Sequence, residues 1–159
     1  MADKLYKLAV FSDSHGNVSG LTSALDTINE CDYFVFLGDG NRDIDKIAEK
    51  ITVPVYRVRG NCDMFSDIPT ELVIRVGETD FFLTHGNYYG VKSSFISLAA
   101  KAREQGCSYA LFGHTHSSVE KDLGGVTVIN PGTAARCDKS SFAIIEGDGK
   151  SFFTKFIRL

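Results

Sequence analysis

The sequence has no clustered cysteines, no long apolar run, no basic cluster and no internal repeat, and each absence excludes a class of protein. Cys31, Cys62, Cys107 and Cys137 are far apart and never form a Cys-x-x-Cys pair. Close cysteine spacing announces thiolate zinc sites, and disulfide scaffolds are found mainly in small secreted chains, so free thiols are expected. No apolar run approaches the roughly 20 residues that span a bilayer, and the polar start Met1-Ala2-Asp3-Lys4 leads straight into a strand-like segment. The expectation is a soluble, cytoplasmic protein with no membrane partner. Lysine and arginine are scattered and the net charge is −3, which gives no field to hold a polyanion, so no extended nucleic acid is expected as a partner. With no linker or low-complexity stretch, 159 residues at 43% hydrophobic suit one core and are too few for two, so residues 1–159 read as a single domain.

The hydrophobic pattern sets the fold class. Leu5 to Ser12 reads as a buried strand, after which Leu21, Leu25 and Ile28 fall on one face of a helix. Tyr33 to Leu37 is a second strand, Ile44, Ile47, Ala48 and Ile51 mark a short helix, and Val53 to Val58 is a third strand. This β-α-β-α-β opening implies parallel strands. Glu71 to Val76 and Asp80 to Thr84 read as a hairpin about Gly77-Glu78-Thr79, and Leu98, Ala99 and Ala102 sit in a helix that starts near Ser93 or Ser94. Tyr109 to Phe112 is a buried strand, and the rest has an antiparallel rhythm: Val119 to Leu123, Val126 to Asn130, Phe142 to Glu146 and Phe152 to Ile157, with glycine-bearing turns. The sum is an α/β domain with two sheets packed face to face and helices outside.

All four histidines belong to this pattern. His15 lies in Asp13-Ser14-His15-Gly16, His85 in His85-Gly86, and His114 and His116 in Gly113-His114-Thr115-His116; Asp39 follows Gly38, and Asn61 follows Gly60. Five strand-like segments thus each end in a metal-capable side chain, where loops of an open α/β sheet can converge. Glycine beside nearly every candidate lets the backbone crowd round a small centre. Asp13, His15, Asp39, Asn61, His85, His114 and His116 offer imidazole and oxygen donors without thiolate, which suits Mn, Fe, Co, Ni or Zn and tolerates Mg. Seven donors are too many for one tetrahedral ion, whereas two divalent ions sharing a carboxylate would use them all.

The ordered set Asp13-x-His15, Gly38-Asp39, Gly60-Asn61, His85-Gly86, Gly113-His-Thr-His116 and Asn130-Pro131-Gly132 resembles the calcineurin-like metallophosphoesterases, above all their small single-domain bacterial and archaeal phosphodiesterases. The resemblance covers nearly the whole chain. It implies a four-layer αββα sandwich of two mixed β-sheets flanked by helices, and a dinuclear centre, with manganese the first choice of metal. By that similarity Asp13, His15, Asp39 and His116 would hold one ion and Asp39, Asn61, His85 and His114 the other, with Asp39 as the bridge. The implied activity is hydrolysis of a small phosphate diester by a metal-bridging hydroxide.

Two departures bear on mechanism. Many catalytic relatives carry a histidine after the asparagine, where this chain has Cys62, and some carry one after His85-Gly86, where it has Asn87. No histidine general acid is therefore evident, and good leaving groups should be favoured. Other readings stay open: a phosphomonoesterase needs the same metals, and the same fold serves a retromer scaffold subunit that works through protein contacts.

Several residues divide between a functional and a plain reading. The twelve phenylalanines read mainly as core, with Phe156-Ile157 as a weak candidate for a homo-oligomer surface. Asn130-Pro131-Gly132-Thr133 is balanced between an ordinary turn and one supporting the site. Arg42, Arg59 and Arg136 are candidate phosphate contacts, Tyr88 and Tyr89 could stack on a base or pack, and Cys62 reads as a small semi-buried residue. The helix dipole suffices to explain Asp43 and Asp45 at the start of the second helix.

Overall fold

Leu8 and Val10 point to one side of the first strand, Ala9 and Phe11 to the other, and all four are fully buried. A strand covered on both faces must lie between two layers, and the rest of the fold follows from that. The computed structural model describes residues 4–159, so the polar residues Met1 to Asp3 lie outside the described residues.

The element order is β1 (Tyr6–Phe11), α1 (Val18–Ser23), α2 (Leu25–Asn29), β2 (Tyr33–Phe36), α3 (Asn41–Ile47), β3 (Val55–Arg57), β4 (Glu71–Val76), β5 (Thr79–Thr84), α4 (Ile96–Glu104), β6 (Tyr109–Leu111), β7 (Val119–Leu123), β8 (Val126–Asn130), β9 (Ser141–Gly147) and β10 (Phe152–Arg158). They form two five-stranded mixed sheets, ordered β10-β9-β1-β2-β3 and β4-β5-β6-β8-β7. In the first, β1, β2 and β3 are parallel, as the β-α-β-α-β pattern requires, while β9 pairs antiparallel to β1 and β10 antiparallel to β9. In the second, β5, β6 and β8 are parallel and β4 and β7 are antiparallel edges.

Three apolar clusters make the layering explicit. Leu8, Val10, Leu37, Phe81, Leu83, Leu111 and Ile129 fill the space between the sheets. Phe11, Phe34, Phe36 and Phe142 cover the outer face of the first sheet beneath Leu21, Ile28 and Ile44 of its helices. Phe82, Phe112 and Val128 pack on Leu98, Ala99 and Ala102 of α4. The phenylalanines are thus mainly core, with Phe11 stacked on Phe142 at 4.4 Å between centroids. Phe65, Phe153 and Phe156 are exceptions, exposed by 97, 55 and 42%.

The structure corrects the expected elements at several ends. The first helix is two short ones divided at Ala24, because Gly20, Thr22 and Ser23 are weak helix formers and Thr22 and Ser23 hydroxyls bond back to Val18 and Gly20 carbonyls. The third strand shrinks to Val55–Arg57. The β4–β5 turn is Gly77-Glu78 alone, since Thr79 pairs with Val76. The helix expected from Ser93 or Ser94 begins at Ile96, with the Ser94 hydroxyl accepting from the Ile96 N–H. β8, expected in an antiparallel run, also pairs parallel to β6. All four cysteines are free, as expected.

Candidate metal centre

Because β1, β2, β3, β5 and β6 pair in two sheets that face each other, the loops at their C-terminal ends meet across the top of the sandwich. Backbone hydrogen bonds tie them together. Asp13 N donates to Gly38 O at 2.9 Å, His15 N to Asp39 O at 3.2 Å, and Gly113 N to His85 O at 2.9 Å. The loops carry their side chains in an unusual way. Among the described residues six non-glycine positions have positive φ, and five of them are Asp13, His15, Asp39, His114 and His116. Such a conformation is sparsely populated for side-chain-bearing residues and persists where the surroundings over-determine it. Here the convergence of donor atoms is what the strained backbone maintains.

The donors gather into overlapping groups. Asp13, His15 and His116 form one, Asp39, His85 and His114 a second, and His15, Asp39 and Cys62 a third, each with its ligand atoms within 4.8 Å of one another. His116 Nε2 is 3.1 Å from Asp13 Oδ1, and His15 Nε2 lies 3.4 Å from Asp13 Oδ1 and 3.9 Å from Asp39 Oδ2. Six of the seven predicted donors are therefore brought together. The seventh, Asn61, is beside them in the chain but its amide contacts only Cys62 Sγ, at 3.6 Å.

His85 supplies the test of fit. Its Nδ1 is 2.7 Å from the Leu37 carbonyl, which can only accept, so Nδ1 carries a hydrogen and Nε2 is the atom left to hold a proton or a metal ion. This Nε2 is buried and has no hydrogen-bond partner. It faces Asp39 Oδ2 at 3.2 Å and Asp13 Oδ1 at 3.9 Å. An imidazole nitrogen facing carboxylate oxygens calls for positive charge between them, a proton or a metal ion, and a ring held at Nδ1 by a carbonyl is how metal-binding histidines are oriented. Burial alone would lower the pKa of His85, but Asp39 and then Asp13 outweigh it and raise the pKa above the ordinary histidine value. Burial likewise pushes Asp39 upward, and His85 and the Cys62 N–H overcome it, bringing its pKa down to about 2. At His114, burial followed by the charge of His85 acts the other way and lowers the pKa. The two carboxylates favour a positive charge at His85 Nε2; a divalent ion bound there would take the place of the proton, and carboxylates with imidazoles are a donor set that fits one.

Behind the donors stand residues that orient them. Asp63, which the sequence reading passed over, accepts from Asp39 N (2.8 Å), Gly40 N (2.9 Å), Asn41 N (3.0 Å), Gly60 N (2.8 Å) and Asn41 Nδ2 (2.7 Å). Only a general signal was present, that aspartate in a glycine-bearing turn tends to bond local backbone; its reach to residues 39–41 is a tertiary fact. Asp43 needs more than the helix dipole: it is buried and accepts from Ser14 Oγ at 2.6 Å and Gly16 N at 2.8 Å, bracing the His15 loop. The Asn130 turn supports the site, with Asn130 Nδ2 donating to Gly113 O and Thr133 Oγ1 to Asp13 O at 2.8 Å.

Other candidates sort themselves out. Cys62 is exposed rather than semi-buried, because Gly60 and Asn61 carry it to the rim, and burial of its thiol together with nearby Asp39 raises its pKa. Arg59 is tied to Ser66 O and Arg136 to Ser19 Oγ, and neither lines a cavity beside the donors, whereas Arg42 stands at a cavity wall. Tyr89 donates to Glu71 and packs edge-on against Phe82, while Tyr88 is exposed. Two cavities flank the donors. One, of about 610 Å³, is lined by His15, Asp39 and Cys62; the other, of about 300 Å³, by His116, Lys139 and Arg158.

A family model, the calcineurin-like phosphoesterase superfamily domain, matches residues 6–150. The chain belongs to this superfamily. It is similar to a probable metallophosphoesterase of Bacillus subtilis, 33% identical over 129 residues that cover 78% of this chain and 72% of the relative. A phosphodiesterase of Methanocaldococcus jannaschii is 26% identical over 148 residues, covering 79% of this phosphoesterase-family chain and 82% of the relative. Among solved structures, a predicted phosphoesterase of Streptococcus pneumoniae superposes with TM-score 0.84 at 26% identity, covering 99% of this chain and 91% of that one. A zinc complex of Vps29 from Entamoeba histolytica shares the fold, with TM-score 0.75 at 21% identity over 95% of this chain and 98% of that one. Metallophosphoesterases use divalent metals, and the clustered donors could hold them.

Proposed function

We propose that this superfamily member is a metal-dependent phosphodiesterase, a single domain that holds two divalent ions and hydrolyses small phosphate diesters. The observation that carries the reading is the pair of donor groups, Asp13–His15–His116 and Asp39–His85–His114, with the unpartnered His85 Nε2 between carboxylates. Asp13, His15, Asp39 and His116 would hold one ion and Asp39, His85 and His114 the other, with Asn61 joining the second only if its amide turned from Cys62. Manganese is the first metal to try, since the donors are imidazole and carboxylate. When bound, the ions generate a nucleophile from water near neutral pH and offset charge on a phosphoryl group.

The chain's own residues define the rest. Asp39 is kept anionic by His85 and the Cys62 N–H, and Asp63, Asp43 and Thr133 keep the loops in register. All four histidines are spent on the cluster, so none is left to protonate a leaving group. Turnover should therefore favour good leaving groups, and equal rates on an activated aryl diester and an alkyl diester would contradict this. Cavities on both sides of the donors support the diester over the monoester, because a diester has two substituents to place. The decisive assay is hydrolysis of bis-p-nitrophenyl phosphate by chelator-stripped protein with single metals restored, beside p-nitrophenyl phosphate as the monoester and His116→Ala as control. Metal-dependent diester turnover that the control loses is the expected result. A faster monoester rate would transfer the reading to a monoesterase. Absent turnover with bound metal would favour a scaffold, which the shared fold with Vps29 makes the second reading.

A further inference from the structure

Among the described residues, five of the six left-handed non-glycine positions belong to the donor cluster; the sixth is Phe65, at φ 58° and 97% exposed. A large apolar ring held in a strained conformation and almost wholly in water is costly on both counts. It is not a loose tip. Arg59 Nη1 donates to Ser66 O at 2.9 Å, Arg59 N to Pro69 O at 2.8 Å, and the five bonds to Asp63 fix the other end of the loop. Phe65 and its exposed neighbour Met64 line the 610 Å³ cavity that contains His15, Asp39 and Cys62, so they face the same space as the donors.

The cavity's charge narrows what can lie there. Asp45 and Asp67 stand on its walls, and Arg57 is occupied by Asp45 at 2.8 Å and by the Asn41 carbonyl. Among the described residues Arg42 is the one arginine of the wall not paired with a carboxylate, so the walls do not favour a second phosphate. We propose that the Met64–Phe65 tip is the specificity subsite for one arm of the diester, and that it takes a flat, uncharged aromatic group, aryl or nucleobase, stacked on the Phe65 ring. The inference rests on the diesterase reading and adds the class of substituent. Aromatic stacking of this kind tolerates many rings because each presents a π-face.

The chain contains no tryptophan and six tyrosines, so Phe65→Trp places the one tryptophan, excited selectively beyond the tyrosine band, at the subsite and keeps a stacking ring. The probes are diphenyl phosphate and dimethyl phosphate, which carry the same charge and differ in the aromatic arm, added to manganese-loaded protein. Saturable change in emission with diphenyl phosphate, at a concentration at least tenfold below any response to dimethyl phosphate, is expected. Equal responses, or none to diphenyl phosphate, would overturn the subsite. In a kinetic arm, Phe65→Ala should raise KM for phenyl p-nitrophenyl phosphate about 5- to 100-fold more than KM for methyl p-nitrophenyl phosphate, and Phe65→Tyr should restore the difference. A parallel rise for both esters would also overturn it. The fluorescence arm needs no turnover, so an inactive wild-type protein would refute the diesterase reading while the emission still decides the aromatic site.

Discussion

Removing the Asp63 carboxylate should unfasten the candidate centre from behind, and the structure gives the size of the effect. Its Oδ1 accepts from Gly40 N and Asn41 N, and its Oδ2 from Asp39 N, Gly60 N and Asn41 Nδ2. Hydrogen bonds to a charged acceptor are each worth about 1.5–3 kcal/mol, but Asp63 is only partly buried and water can replace some of them. Counting about 1 kcal/mol for each of the backbone donors, Asp63→Ala costs ~4 kcal/mol, which at roughly 2–4 °C per kcal/mol lowers Tm by about 8–16 °C. Asp63→Asn keeps one acceptor oxygen and turns an NH₂ group toward backbone N–H groups, so it should lose about half as much. The measurement is thermal unfolding of metal-free protein, so that bound ions do not mask the difference.

A pH series isolates the charge. Burial works to raise the pKa of Asp63, but the N–H groups of Gly60, Asn41 and Gly40 outweigh it and hold the carboxyl below its ordinary value. The unfolded chain then binds this proton first as pH falls, so the stabilisation is fully present above about pH 4–5 and is lost as pH drops through the folded value. The Tm gap between wild type and Asp63→Asn should narrow below about pH 4. A Tm for Asp63→Ala within about 2 °C of wild type, or a gap that is flat with pH, would refute this account of the loop.

Other perturbations follow from the same geometry. In Gly60→Ala a Cβ would stand 2.6 Å from Asp39 N and collide with Asp39 Oδ1; manganese affinity by titration calorimetry should fall about 10- to 100-fold, as for other groups that orient a ligand. Asp43→Ala removes the acceptor of Ser14 Oγ and Gly16 N, and a similar loss of metal affinity is expected in the same titration. Leu111→Ala opens a cavity in the fully buried inter-sheet core and should cost about 2–5 kcal/mol in denaturant unfolding. Restoring metal to stripped protein at 100 times its dissociation constant should add about 2.7 kcal/mol for each site, read as a rise in Tm that His85→Ala reduces.

Much of this protein could be read from the order of its residues. Strand period, the β-α-β-α-β opening and the glycine turns are local properties, so Leu8, Phe36 and Leu111 could be placed in strands, and the resemblance supplied how the layers stack. The candidate donors could be picked out for a related reason, since in an α/β sheet the polar residue after an apolar strand has few other places to be, and six of the seven do gather while Asn61 turns to Cys62. Helix ends were less so, because the local bond from Ile96 N to the Ser94 hydroxyl and the break at Ala24 depend on small differences between competing hydrogen bonds.

Tertiary structure alone decided which residues hold the donors still and what surrounds them. Asp63 and Asp43 look like ordinary turn and helix-start carboxylates until the loops after β1, β2 and β3 close around them, and neither the buried position of His85 Nε2 between carboxylates nor the left-handed backbone of Asp13, His15 and Asp39 exists in a local reading. Arg59 and Arg136 stand outside the cavities beside the donors, and Phe65 joined the cavity wall, for the same reason. Residue type and spacing determined the chemistry the chain can offer, since donor atoms and strand periods are properties of short segments; direction, strain and partnership depend on contacts between distant segments, and those only the folded chain makes.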